Sequence, residues 1–234
     1  MARAWFRTGE TAVPSELTAL LGTHPWTRRF VLEQAIAEMP LRLDNYGGRD
    51  RRCDVLLIGR TDEGGIVIAV EAKADEPFGP LITAHREYGL MKSQSRVSLR
   101  IDDLMLAVLG VNYQQADATV RGLRYQLLHT VAGVLAESQR LGFARAALIV
   151  HEFRSAISDP RGLAANAADL QRFVRHLPGQ AHTEIGVGEF LGPISVPGGG
   201  MVPANVGLLI AKVVSQLGTM AKPEVVTPIT VDPS

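Results

Sequence analysis

Two carboxylates and an ammonium, Asp54, Glu71 and Lys73, have the types and spacing for chemistry at a hard divalent cation. Mg²⁺ and Mn²⁺ favour oxygen donors, and Mg²⁺ keeps several waters, so two carboxylates suffice. An ammonium beside two carboxylates stays charged and can balance negative charge that develops during a reaction. The segment carrying these residues gives the spacing its meaning. Val55 to Ile58 and Ile66 to Val70 are apolar and rich in β-branched residues, with a turn cluster from Thr61 to Gly65 between them. This pattern predicts a β-hairpin. With the turn centred between Asp62 and Glu63, Ile58 lies opposite Val67, Leu56 opposite Ala69 and Asp54 opposite Glu71. Strand side chains alternate faces, so Glu71 and Lys73 share a side that Asp54 joins, and opposed Cβ atoms lie about 5 Å apart.

The predicted hairpin is apolar on both faces. Val55, Leu57, Ile66, Ile68 and Val70 fill one, and Leu56, Ile58, Val67 and Ala69 the other. Helices normally cover such a sheet on both sides. Two carboxylates and an ammonium at its end are costly unless they pair or hold a metal, a local conflict that often marks a functional site.

Asp54, followed by Glu71-Ala72-Lys73 on the next strand, resembles the Asp…Glu-x-Lys signature of the PD-(D/E)XK nuclease superfamily. That superfamily covers restriction-endonuclease-like folds and many repair and phage-defence nucleases. Cys53 stands where a proline usually precedes the Asp. From about Ala4 to Phe153 the chain also resembles an uncharacterised bacterial family that contains this core. The resemblance implies an α/β fold with a restriction-endonuclease-like core: a central mixed sheet with an antiparallel catalytic hairpin, flanked by helices on both faces. It implies a metal-dependent nuclease in which Asp54 and Glu71 hold Mg²⁺ or Mn²⁺ and a backbone carbonyl such as that of Ala72 adds an oxygen. Lys73 would orient the attacking water or balance transition-state charge. Many relatives bring a glutamate of the first core helix to the metal, and Glu33 is the positional match, although an exposed surface glutamate is the commoner reading. Many also carry a polar residue on the long helix facing the site, often a Gln within a Gln-Tyr pattern. Here the local order is Arg124-Tyr125-Gln126. A helical wheel places Arg124 inside the apolar arc and turns Gln126 and His129 away from it, which favours Arg124 as a phosphate contact.

Composition bounds the alternatives. The chain has 234 residues, is 46% hydrophobic and 21% charged, and has zero net charge. These values fit one α/β domain over about 1–220, with C-terminal decoration from about 155 and a loose tail at 221–234. One cysteine excludes an intrachain disulfide, and no apolar run is long enough to span a bilayer, so a cytoplasmic protein is expected. Zero net charge argues against coating nucleic acid non-specifically but permits a local basic cleft. The expected partner is nucleic acid, DNA ahead of RNA, with a homodimer or a partner protein as a further option. A catalytically inactive or partner-activated binding module on the same fold is the alternative.

The remaining elements follow from periodicity and breakers. Residues 1–22 form a first helical region broken at Pro14, with Trp5, Phe6, Leu17, Leu20 and Leu21 as packing residues. Pro25 opens and Pro40 stops a helix over about Trp26 to Met39, with Leu32, Ala35, Ile36 and Met39 as its stripe. Gly47-Gly48 and the charged Arg49 to Arg52 lead to the hairpin, and Asp75 and Glu76 leave it. Further helices are expected over about Ile101–Leu109, Val120–Leu141, Asn166–His176 and Val206–Leu217. Ala146 to Val150 reads as a buried strand ending at His151, a substrate contact or a structural histidine, and 183–196 as a strand pair. Gly198-Gly-Gly200 lacks the Gly-Lys-Ser/Thr ending of a phosphate-binding loop.

Overall fold

The computed structural model describes residues 13–43, Tyr46 and 51–217. Trp5, Phe6, Gly47 to Asp50, the Arg51 side chain and the tail from Ala221 lie outside the described residues. In chain order the elements are α1 (Ser15–Leu21), β1 (Val31–Leu41), β2 (Arg51–Thr61), β3 (Gly64–Lys73), α2 (Ile82–Leu90) and α3 (Val97–Leu104). A π-helical turn (Met105–Leu109) follows, then α4 (Ala118–Arg121), α5 (Tyr125–Arg140), β4 (Arg145–Arg154), α6 (Pro160–Arg175), β5 (Phe190–Ile194) and β6 (Gly207–Gln216).

The strands form one six-stranded mixed sheet in the order β1-β2-β3-β4-β6-β5. β1, β2 and β3 pair antiparallel, β4 joins β3 in parallel, β6 joins β4 in parallel, and β5 closes the far edge antiparallel. The hairpin register is the expected one: Ile58 pairs with Val67, Leu56 with Ala69 and Val55 with Val70. The two apolar faces separate as the alternation requires. Leu56, Ile58, Val67 and Ala69 meet Leu127, Leu128, Val131, Val134 and Leu135 of α5, with Phe173 and Val174 of α6 in the same layer. Val55, Leu57, Ile66, Ile68 and Val70 meet Leu17, Leu20 and Leu21 of α1, with Trp26 and Phe30 beside them. Helices therefore cover both faces of the sheet.

Two expected helices are strands. The stretch read as a helix over Trp26 to Met39 contains β1, the outer strand. Its three- and four-residue apolar spacing comes from two irregularities. The ladder shifts between Leu32 and Gln34, and Glu38 takes a left-handed φ of 52°. These breaks put Leu32 and Ala35 on one face and Ile36 and Met39 on the other, which imitates a helical stripe. Pro40 is tolerated because an edge strand has an unpaired side. The last expected helix, Val206–Leu217, is β6. It is buried between β4 and β5, and a strand covered on both faces is apolar throughout. Residues beyond 155 thus supply an inner strand as well as surface elements. Of the strand pair expected over 183–196, β5 alone is formed, and its partner is β6.

The helix expected over Val120–Leu141 is two pieces. α4 ends at Gly122, and α5 begins only after Arg124, which sits at its N-cap. α3 runs on into the π turn, which closes at Gly110 with φ 71°. α6 starts earlier than expected, because Asp159 caps it and accepts from the amides of Arg161 and Gly162.

Gly59 lies opposite Leu32, where the β1–β2 ladder shifts. A methyl group there would collide with the backbone carbonyl of Val31 and the Phe30 ring. Gly59→Ala should destabilise the protein by about 1–3 kcal/mol, read as a lower urea midpoint with an unchanged slope. Undiminished stability would show that the β1–β2 contact is not this close.

Candidate active site

The β2–β3 ladder runs from Thr61 and Gly64 to Val55 and Val70, and stops one pair short of Asp54 and Glu71. Cys53 and Met39, paired across β2 and β1, both pack with the α5-side core, whereas Val55 packs with the α1-side core. With unbroken alternation Cys53 would share the Val55 face. The pleat therefore slips at Asp54, beside the left-handed Glu38. In place of a regular ladder bond, the Asp54 carboxylate accepts from the backbone amide of Ala72 at 2.8 Å. The loss of regular pairing thus fixes a half-buried carboxylate against the strand that carries Glu71 and Lys73.

Glu71 is fully buried and faces α5. The Thr130 hydroxyl donates to one carboxylate oxygen at 2.6 Å and the Gln126 amide to the other at 2.7 Å. Gln126 and Thr130 are one helical turn apart, so one face of α5 presents both. Burial pushes the Glu71 carboxyl up to about 8. The Thr130 hydrogen bond opposes that rise, the negative charge of Asp54 adds to it, and Lys73 and Gln126 oppose it further. Lys73 is also buried. Its Nζ lies 3.8 Å from Glu76 and 5.2 Å from the centre of the Phe78 ring.

Farther along the sheet the same face carries a second charged group. The register sets Lys73 opposite Glu152 on β4, and Lys212 of β6 level with Val150 and hence with Glu71. The Glu152 carboxylate, 1% exposed, is held by Lys212 at 2.8 Å and by Arg154 at 2.6 Å.

The structure thus brings together Asp54, Glu71, Ala72, Lys73 and Gln126. It places three candidates elsewhere. Glu33 lies on β1, with its carboxylate 2.8 Å from Arg60. Its ladder neighbours face Gly59 and Ile58, roughly 15 Å along the strand from Asp54. Arg124 braces the start of α5: it donates to Asp169 of α6 at 2.6 Å and to the Gly79 carbonyl at 2.8 Å. His151 is buried on the α1 side of the sheet, 2.8 Å from the Ser215 hydroxyl and stacked on Phe153. Gln126 and His129, turned outward by the helical wheel, are respectively bonded to Glu71 and buried. The wheel failed because it assumed one buried stripe, whereas α5 is enclosed on nearly every side: His129, Thr130, Ala132, Gly133 and Ala136 are buried along with the apolar arc. Sequence reasoning missed Thr130, Glu152 and Lys212. Thr130 was accessible through its one-turn spacing from Gln126, and Lys212 through being one of only four lysines.

Among the described residues no group of three or more His, Cys, Asp and Glu side chains is arranged to hold a metal ion. The donors fit a hard cation on a smaller set: Asp54 and Glu71, completed by water. Glu71 itself supports the fit. A buried carboxylate whose ionisation is opposed by burial and by a neighbouring carboxylate is the group that a dication would relieve. The set does not fit zinc, which favours nitrogen and sulfur ligands in a closed tetrahedron.

The buried His151 gives a pH prediction. Burial lowers its pKa from 6.5 to about 4, with Glu16 opposing the shift. The fold therefore favours neutral imidazole, and its contribution is complete above pH about 6.5 and lost as pH falls toward 4. Between pH 7 and pH 4 the protein should lose roughly 3 kcal/mol more stability than His151→Gln does. Denaturant titrations at the two pH values measure this, and equal losses would contradict a buried neutral histidine.

The chain belongs to the family described as Domain of unknown function (DUF6946), whose profile matches residues 1–214. No curated protein and no solved structure matches it.

Proposed function

We propose that this member of the family is a metal-dependent nuclease on a restriction-endonuclease-like core. The observation that carries the reading is the convergence of Asp54 with Glu71-Ala72-Lys73 at one end of an antiparallel hairpin, with Glu71 gripped by Gln126 from the long helix. The order of elements supports it. A helix, three antiparallel strands, a run of shorter helices, the long helix and a further strand that joins the hairpin sheet follow in that order.

Each residue then has a task. The Ala72 amide holds Asp54, and Thr130 and Gln126 fix both oxygens of Glu71, so the two carboxylates are oriented before any ligand arrives. Mg²⁺ or Mn²⁺ bound there would polarise a phosphoryl oxygen and lower the pKa of a coordinated water. Lys73 offers a buried positive charge to the anionic transition state, where low local dielectric strengthens it. Gln126 keeps Glu71 from rotating out of the site. The substrate on this reading is nucleic acid, DNA ahead of RNA, met in the cytoplasm by a single chain, a homodimer or a complex with a partner protein. No helix among the described residues is long and apolar enough to cross a membrane. The zero net charge favours a second reading, in which the same fold binds without cleaving or cleaves only with a partner.

The test is cleavage of single- and double-stranded DNA and of RNA with Mg²⁺ or Mn²⁺, comparing the natural chain with Glu71→Ala and Lys73→Ala. The nuclease reading predicts cleavage that chelation abolishes and that each variant lowers by about 10²-fold or more. Equal traces in all three proteins would mark a contaminant and reject the assignment. No cleavage by folded protein would favour the second reading.

A further inference from the structure

We infer that Lys212 is a positioning residue of this site: by holding Glu152, it keeps that carboxylate from capturing Lys73. The consequence for catalysis rests on the nuclease reading; the contacts do not.

Strand register creates the competition. Lys73 and Glu152 are direct partners on adjacent parallel strands, about 4.8 Å apart. Alternation from Ala69 on β3 and Leu148 on β4, both in the α5-side core, puts the two side chains on the same face. An ammonium and a carboxylate so placed, both buried, would ordinarily pair. They do not: Lys73 turns to the half-exposed Glu76, at the loose distance of 3.8 Å. Glu152 is engaged on both oxygens, with Lys212 on one at 2.8 Å and Arg154 on the other at 2.6 Å.

Lys212 is the component of this arrangement that water cannot replace. Its side chain is 8% exposed and that of Glu152 is 1% exposed. Arg154 is 41% exposed and reaches Glu152 from the solvent side. Without Lys212, one oxygen of a buried carboxylate loses its cation, and the ammonium opposite it in the sheet is Lys73. Lys73 would then close onto Glu152 as a charge-assisted pair and leave the space beside Asp54 and Glu71. The arrangement partitions the charges: Glu152 is satisfied from the β6 side, so Lys73 keeps only a weak partner that a phosphate can displace. Lys212 therefore acts through Lys73 without touching substrate.

The test uses crystal structures and steady-state kinetics of Lys212→Met and of the double variant Glu152→Gln/Lys212→Met. In Lys212→Met the Lys73 ammonium is expected within about 3 Å of Glu152, with kcat lowered about 10- to 100-fold and KM little changed. In the double variant the competing charge is gone, so Lys73 stays beside Glu76 and kcat returns to within a few-fold of the natural chain. A Lys73 that does not move in Lys212→Met overturns the inference, as does a double variant as impaired as the single one. The position of Lys73 is read whether or not the protein cleaves nucleic acid, so failure of the nuclease reading and failure of this inference are separate results. If Lys212→Met does not fold, Lys212→Gln removes the charge but keeps a donor, and the same Lys73 position decides.

Discussion

A carboxylate buried at the end of an apolar hairpin needs hydrogen-bond donors, and the placement of α5 follows from that need. Glu71 sits at the point where the sheet stops being purely hydrophobic, and solvent does not reach it. Leaving such a group without donors would cost several kcal/mol. Thr130 and Gln126 supply them from adjacent turns of α5, which starts at Tyr125 and lies against β3. Arg124 secures that start by tying the N-cap to Asp169 of α6 and to the Gly79 carbonyl. α6 in turn binds the segment that leaves β3: Asn166 donates to the Glu76 carbonyl, and the Asp159 amide to Asp75. The candidate site, its helix and its exit loop form one connected set of polar contacts around a single carboxylate.

The two faces of the sheet carry different chemistry. On the α5 side, the ends of β2, β3, β4 and β6 set Asp54, Glu71, Lys73, Glu152 and Lys212 in sequence across four strands. Two adjacent carboxylates, Asp54 and Glu71, are followed by charges of alternating sign, and each buried carboxylate has a donor. On the α1 side, the same strand ends carry Val70, His151 and Val213, and the one titratable group is held neutral by burial. Segregating the faces lets a charged site sit directly behind an apolar core. The irregularity that makes it possible is small: one slip of the pleat at Glu38 and Asp54 redirects Cys53 and Met39 into the core and leaves the Asp54 carboxylate to meet the Ala72 amide.

The hairpin was legible because its information is local. β-branched runs about a tight turn defined both strands, and the turn position set the register as far as Val55 and Val70, which leaves Asp54 beside the segment that carries Glu71. What failed depended on contacts remote in sequence. β1 looked helical because two backbone irregularities turned a strand pattern into spacings of three and four, and Pro25 and Pro40 mimicked helix boundaries. β6 looked helical because burial on both faces erases alternation. Gln126 was turned outward because the wheel assumed a single buried stripe, whereas α5 is enclosed on nearly every side, and nothing in the spacing of apolar residues shows that Asp169 would hold Arg124 outside the helix. Glu33 followed from placing it on a helix that does not form. Glu152 and Lys212 gained their relation only when β6 was inserted beside β4.

The central claim is that Asp54 and Glu71, held as they are, form one site for a hard divalent cation. Calorimetric titration of Mn²⁺ into the natural chain and into Glu71→Gln tests it without relying on any substrate. The account predicts saturable binding of one ion to the natural chain and its loss in the variant, with the fold retained in both. Equal binding by the two proteins, or none by either in the presence of nucleic acid, would contradict it.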